Sequence, residues 1–298
     1  MKPRLSIIIP TLNEEPSLDS LLTVLRRDFT GAEVIVADGG SDDDTLKIAH
    51  TADRVIHAPR GRAAQMNAGA SVATGEVLWF LHSDSIPPRD ALARIEKVLS
   101  TGCCGGCFRI WFDEPAWVFR ISDALSNLKV DLTGIAYGDH GIFCTTEAFH
   151  RISGYPVVPL LEDADLYRAL GHLGGVSQAP AHIFTNARRY HAHGPWRTTL
   201  IHLILSTLYL LGYPREKLAH FYARQFGAGR KPLAPLEEIP RESTDGGTTT
   251  KAGAPPRFAL GVRERKTRRG LATAITARSR ESASNTKSPR REDQEYEV

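Results

Sequence analysis

Over the first hundred positions, short apolar runs alternate with stretches of helical period. The pairs are "LSIIIP" then "SLDSLLTVLRR", "EVIVAD" then "DDTLKIAHTA", "RVIHAP" then "GRAAQMNAGASVA", and "EVLWFL" then "PRDALARIEKVLS". Unbroken apolar runs bounded by polar turns are what strands buried on both faces require. Their alternation with helices predicts a mainly parallel sheet flanked by helices, an α/β, Rossmann-like arrangement. Ligands of such sheets bind beyond the carboxyl ends of the strands. Those ends here read Pro10–Glu15, Asp38–Ser41, Pro59–Arg62 and His82–Asp84.

After Cys107 the rhythm changes. A strand "FRIWF", a helical "AWVFRISDALSNL", a strand-like "HGIFC" and helices near Glu147–Ile152 and Asp163–Leu173 predict a mixed second half. Two further helices, Trp196–Leu211 and Arg215–Phe226, close the folded part at residue 226. Residues 227–298 are rich in Gly, Pro, Ser, Thr and charge, with few large apolar residues to offset the entropy of ordering, and are expected to be a disordered tail.

The formal charge of +3 changes this picture little, because it is carried by the tail: 15 Lys/Arg against 10 Asp/Glu in 227–298, but 22 against 24 in 1–226. A solvated tail is expected, with no nucleic-acid partner. The N-terminal apolar run is too short for a signal-peptide core, which points to a cytoplasmic protein. "TLIHLILSTLYLLGY", Thr199–Tyr213, falls short of the ~20 residues that cross a bilayer. Its nearly all-round apolar character suits a packing helix or one lying at a membrane surface, so peripheral contact with the inner face of a membrane stays open. Cysteines 103, 104, 107 and 144 form no complete zinc set and read as small packing residues of a reduced protein.

Candidate chemistry collects at the strand ends. Asp38 suits either hydrogen bonds from a nucleobase or capping of the "GGS" turn. Arg62 opens a helix, where the dipole gives a cation no reason to sit but where an anion is welcome, so it suits a phosphate. Asp84, at the mouth of the sheet, suits a hard cation such as Mn2+ or Mg2+ shared with substrate phosphates. His82 either joins the same ligand assembly or packs. Glu162, Asp163 and Asp165 crowd one first helical turn, more acid than a cap needs, so a general base is expected among them. Without a glycine-rich G-x-G-x-x-G after the first strand, dinucleotide binding is disfavoured.

Taken together, "LSIIIPTLNE", "VIVADGGSDDDT", "GRAAQMNAG", "FLHSDSIPP" and "LEDADLYRAL" resemble, in order and rough spacing, the family 2 glycosyltransferases of GT-A fold, over residues 4–226. Later stretches, among them "YGDHGIF" and "NARRYHAHGPWRTTL", resemble a bacterial subgroup often labelled arsenosugar-biosynthesis glycosyltransferases. The resemblance implies a GT-A domain over 1–226. Residues 1–105 would be the nucleotide-sugar-binding half and 106–226 the acceptor and catalytic half. It implies transfer from a nucleoside-diphosphate sugar to an acceptor hydroxyl of a metabolite, lipid or polysaccharide. Pro10, Asn13, Glu14 and Asp38 would lie around the nucleoside, Arg62 near the diphosphate, and Asp84 on Mn2+ or Mg2+. Asp163, paired with Glu162, would be the base of an inverting displacement, and Arg188 and Arg189 would meet the acceptor. His82 and Gly39 depart from the family's usual acids at their positions. Two rival readings are a sugar nucleotidylyltransferase, which needs a glycine-rich basic loop where this chain has "PTLNEE", and a non-catalytic membrane-surface protein with a degenerate site.

Overall fold

The computed structural model describes residues 4–227, and chain contacts gather them into one compact unit. The expected disordered tail lies outside the described residues apart from Gly227. The first half runs β1 (Leu5–Thr11), α1 (Glu15–Asp28), β2 (Glu33–Asp38), α2 (Thr45–Ala49), β3 (Arg54–His57), α3 (Arg62–Val72), β4 (Val77–Phe80), β5 (Ser85–Ile86) and α4 (Ala91–Ser100). The second half runs β6 (Gly105–Phe112), α5 (Trp117–Thr133), a 3-10 turn (Gly138–His140), β7 (Phe143–Thr145), α6 (Thr146–Arg151) and α7 (Glu162–Gly174). It ends with β8 (Val176–Thr185), α8 (Arg188–His193), α9 (Pro195–Leu210) and α10 (Arg215–Phe226).

One eight-stranded sheet has the order β3-β2-β1-β4-β7-β6-β8-β5. The run β3-β2-β1-β4 is parallel, and β7 then pairs antiparallel with both β4 and β6. Every residue of β1 and β2 is buried, as their unbroken apolar runs require. Side chains alternate between two layers. Ile7, Ile9, Val36, Trp79 and Leu81 pack against Leu18, Leu21, Leu22 and Leu25 of α1, while Ile8, Ile35, Leu78 and Phe80 pack against α3, α6 and α7. Gly69 brings α3 close to β1, since a Cβ there would stand 2.5 Å from Ile8 Cγ2. A third cluster joins α9 and α10 to Ile135, Leu161 and Ala164.

Two features were not expected from the sequence pattern. The first is β8, whose polar residues and Pro180 hide a ten-residue strand. Its pairing with β6 jumps from Phe108↔Ala179 to Arg109↔His182, so the proline, which has no N–H to give, falls in the bulge. The second is the shortness of the "HGIFC" strand: His140 belongs to the 3-10 turn, and only Phe143–Thr145 pair.

Gln65 of α3 ties the mouths of the two central strands together. Its buried amide donates to the carbonyls of Thr11 (2.7 Å) and Ala37 (2.9 Å), the first of which also accepts the Gly39 N–H (2.9 Å). Gln65→Ala should therefore lower stability by about 1–3 kcal/mol. The check is urea unfolding, with a lower midpoint and an unchanged slope; an unchanged midpoint would remove this role.

Candidate functional site

The first part of the site is a bracket across the ends of β1 and β2. Asp38, fully buried, accepts hydrogen bonds from the Thr11 hydroxyl (3.2 Å), the Gly40 and Ser41 amides (2.8 and 2.9 Å) and the Ser41 hydroxyl. A carboxylate has about four acceptor positions, and here the turn takes three and Thr11 of β1 the fourth. Of the two roles open to Asp38, the structure gives it the turn. Asn13, in the left-handed region at φ 56°, reaches across to the same turn. Its amide N–H donates to Ser41 Oγ (2.9 Å), its side-chain oxygen accepts from the Asp42 N–H (2.9 Å), and its Nδ2 donates to the Asp42 carboxylate. Glu14 donates its N–H to Thr45 Oγ1 (2.8 Å) and accepts from Ser17 Oγ (3.1 Å). Pro10, paired with Ala37, closes the strand just below.

Beyond β4 the chain turns sharply, with the Ser85 N–H donating to the His82 carbonyl (3.1 Å). The turn is pinned because Ser85 then pairs with Thr185 of β8. Asp84 stands on this turn. Three residues after β8 comes Arg188, whose Nη2 lies 3.2 Å from Asp84 Oδ2 and 3.9 Å from Glu14 Oε2. A guanidinium from the second half of the described residues thus sits between two carboxylates of the first half. Arg189 points elsewhere, over the rings of Tyr222 and Phe226 (5.5 and 5.6 Å).

The third part is the start of α7. Leu161, the residue before the helix, is left-handed at φ 68°, a conformation costing a leucine about 1–2 kcal/mol. It turns Glu162 and Asp163 inward, where both are buried. Glu162 accepts from Arg62 Nε (3.0 Å) and holds that guanidinium firmly protonated. Asp163 Oδ2 accepts the Gly138 N–H (3.0 Å), while its Oδ1 is buried with no partner. Burial and the Glu162 charge push the Asp163 carboxyl up to about 7, Asp139 adding to them and Arg62 and the Gly138 N–H opposing.

Gly138 joins the second and third parts. A Cβ there would stand 2.3 Å from His82 Nε2 and 2.8 Å from Asp163 Oδ2, so both groups pack against Gly138 at a distance that only glycine allows. His82 Nε2 is also buried and unpartnered. Burial and Arg62 push the imidazole down, so His82 is neutral at pH 7. His82 Nε2, packed against Gly138, and Asp163 Oδ1, on the carboxyl whose other oxygen meets Gly138, are thus left orphaned in a core where such atoms are nearly always paired. Tyr155, also with an unpartnered buried hydroxyl, lies beside Asp163, and burial pushes its phenol up.

The structure therefore brings His82, Asp163, Glu162 and Arg62 into one cluster and Asp84, Glu14 and Arg188 into another, with Asn13 and Asp38 holding the strand-end bracket. Arg189 of α8 stands apart, against α10. Gln65, Gly138, Asp139 and Tyr155 were not singled out from sequence. Gln65 and Gly138 lie inside "GRAAQMNAG" and "YGDHGIF", but nothing local marks a glutamine aimed at two carbonyls or a glycine whose missing Cβ makes room. Among the described residues no three His, Cys, Asp or Glu side chains converge as a metal cage. Mn2+ or Mg2+ nevertheless suits the Asp84 corner, because these ions take one or two carboxylates plus substrate oxygens, and a cationic group already lies against Asp84 and Glu14.

Comparison with known proteins gives this geometry a family. Residues 6–149 match the sequence model described as glycosyl transferase family 2. A PGL/p-HBAD biosynthesis glycosyltransferase of Mycobacterium bovis is 41% identical over 103 residues, 31% of this chain and 40% of that protein. An undecaprenyl-phosphate 4-deoxy-4-formamido-L-arabinose transferase of Pseudomonas syringae is 31% identical over 164 residues, 49% of this chain and 47% of that one. The chain thus spans less than half the length of either curated relative. A mannosyltransferase from Pyrobaculum calidifontis, solved in complex with GDP-Man and Mn2+, shares the fold with a TM-score of 0.55 and 22% identity, over 74% of this chain and 70% of that one. The curved mixed sheet and its flanking helices give the described residues a GT-A fold, and residues 6–149, with the strand-end motifs, carry the sequence pattern of glycosyltransferase family 2.

Proposed function

We propose that the protein moves a hexosyl group from a nucleoside-diphosphate sugar to an acceptor hydroxyl, with inversion at the anomeric carbon and dependence on Mn2+ or Mg2+. The observation that carries this reading is the close packing at Gly138, where a buried carboxyl with one unpartnered oxygen, pushed up to about 7, stands beside an unpartnered neutral imidazole. A base held near the operating pH is what removal of a hydroxyl proton needs.

In this reading residues 1–105 take the donor and 106–226 supply the base and the acceptor side. The nucleoside lies against the bracket of Pro10, Asn13 and Glu14, which Asp38 keeps in shape. Arg62 and Arg188 face the diphosphate, and His82 Nε2 hydrogen-bonds a hydroxyl of the donor sugar. Asp84 holds the cation, which when bound neutralises charge on the leaving diphosphate. Asp163 takes the proton of the acceptor hydroxyl; the freed oxygen pair forms the new bond to the anomeric carbon as the bond to the diphosphate oxygen breaks on the opposite face. Glu162 raises the basicity of Asp163 and fixes Arg62. Arg189 stands on the α10 side, where the acceptor enters.

The reaction is placed in the cytoplasm, at the inner face of a membrane, with a lipid-carried acceptor. The support is the Pseudomonas syringae relative, whose name specifies an undecaprenyl-phosphate substrate. Among the described residues no helix is long and apolar enough to cross a membrane. A degenerate, non-catalytic site is less well supported, because Asp84 and Asp163 both remain at the mouth of the sheet.

Calorimetry with UDP-, GDP- and dTDP-sugars should show one donor class binding in a Mn2+-dependent manner, lost in Asp84→Ala; donor binding untouched by that change would overturn the Asp84 assignment. Asp163→Asn keeps an acceptor for the Gly138 N–H and should fold, yet lose about 10²–10⁴-fold in turnover. Because the folded-state value near 7 lies above the ordinary 3.8, the buried carboxyl costs stability once it ionises, so at pH 8 the asparagine variant should be more stable by about 1–3 kcal/mol. The same sign sets the rate profile: turnover should fall tenfold per pH unit below about 7, as Asp163 protonates, and a flat profile to pH 5 would exclude it as the base. Gly138→Ala should drive a methyl group into His82 and Asp163, displace both, and lower turnover by at least about 10²-fold.

A further inference from the structure

Helix α5 is built inside out. Its polar residues face the sheet: Asn127 exchanges hydrogen bonds with the Ile110 N–H (2.9 Å) and carbonyl (3.1 Å), and Asp123 accepts from the Phe112 N–H (3.1 Å). Arg120 lies over the Trp111 ring and Lys129 over the Tyr137 ring. The residues left facing outward are Trp117, Ile121, Leu125, Leu128 and Leu132, spaced four, four, three and four apart, with Trp117 66% and Leu132 74% exposed. That spacing makes one continuous apolar stripe.

Helix α9 lies beside it, tied by Ser122 Oγ to Thr199 Oγ1 (2.7 Å) and by edge-to-face packing of Trp117 on Trp196 (5.5 Å). It also presents apolar residues outward, Trp196, Leu200 and Leu203 among them, with Leu211 just beyond its end 76% exposed. Two adjacent helices thus show one apolar face with a tryptophan from each at the same end. Contiguous exposed apolar surface of this extent marks an interaction site.

Charge decides what covers it. From Leu166 to Arg215 the chain carries five arginines, at 168, 188, 189, 197 and 215, and no Asp or Glu. At the far end of α9 a cleft of about 560 Å3 is lined by Arg168, His172, Tyr209 and Arg215 with a single acid, Asp165. That acid is already met by Arg215 and by the Tyr209 hydroxyl (2.8 Å), which leaves Arg168 without an acidic partner among the described residues. Arg188 and Arg215 are paired with acids, but Arg168, Arg189 and Arg197 have no acidic partner among the described residues. An apolar face with tryptophans at one end and such arginines in the neighbouring stretch of chain matches a bilayer bearing anionic headgroups.

We propose that the α5–α9 face docks on an anionic lipid bilayer, with a headgroup phosphate taken by the Arg168–Arg215 cleft. This rests on the reading of a membrane-side transferase and adds the docking face. Docking would set the base close to the lipid surface, because Tyr137 bonds Ser206 of α9 (2.6 Å) and the next residue, Gly138, holds Asp163.

The test is sedimentation of the full chain with phosphatidylcholine vesicles, with and without phosphatidylglycerol. The wild type should partition onto the anionic vesicles. Trp117→Gln/Leu128→Gln/Trp196→Gln/Leu200→Gln should partition at least about tenfold less while binding nucleotide sugar unchanged. The milder pair Trp196→Gln/Leu211→Gln should show the same direction should the first variant fold poorly. Equal partitioning of wild type and variants, as the basic tail alone would produce, overturns the proposal. So does a wild-type dimer that ignores vesicles and becomes monomeric in the variant, which would assign the face to a second copy of the chain. Vesicle binding lost in the variants, but with no nucleotide sugar bound by the wild type, would sink the transferase reading and leave the docking face standing.

Discussion

The burial of one carboxyl, Asp163, is the constraint around which the site is arranged. A carboxylate taken out of water is expensive unless it is paired, and here it receives a single backbone N–H while a second acid, Glu162, stands next to it. Several features exist to hold that arrangement. Leu161 takes a left-handed turn no leucine prefers, Gly138 gives up its Cβ, and Arg62 crosses from α3 to neutralise Glu162 rather than Asp163. The cation satisfies the neighbour, and the acid that remains unsatisfied is the one poised to accept a proton.

The sheet explains why that acid lies near Asp84. Parallel strands β1, β2 and β4 send all their carboxyl ends the same way, and β7, running antiparallel beside β4, sends its amino end there too. The 3-10 turn before β7 therefore passes under His82, and α7 is brought to the same edge. On the other side β8 ends beside the turn after β4, which is how Arg188 reaches Asp84 across more than a hundred residues. Strand direction, more than any local motif, gathers these groups.

The same logic governs α5. Only two residues of β6 pair with β7, so the rest of that strand edge would be left with unpaired backbone groups. Asn127 and Asp123 turn inward to meet it, which forces the leucines of the same helix outward. Covering a strand edge and exposing an apolar face are one packing decision.

How much of this was legible in the sequence follows from how far each signal reaches. Local periodicity was enough for β1, β2, α3, α7 and α10, because each buries one stripe or one run against a core and needs no distant partner to declare itself. It was enough also to mark Asp38 and Asp84, since a polar residue closing an apolar run is a local event, and Arg62 and Asp163, since each stands at the start of a helix. It failed for β8, whose proline is accommodated by a bulge against a strand seventy residues away, and for Gln65 and Gly138, whose roles are defined by atoms from other elements. The sequence by itself determined the alternation of strands and helices, and with it the edge of the sheet where polar groups would collect. Only the tertiary structure decided that Asp38 would hold a turn, that Arg188 and not Arg189 would face Asp84, and that Asp163 would stay half-satisfied in the dark. Each of those depends on which partners fill a given group's hydrogen-bonding capacity, and partners are assigned only when the chain is packed.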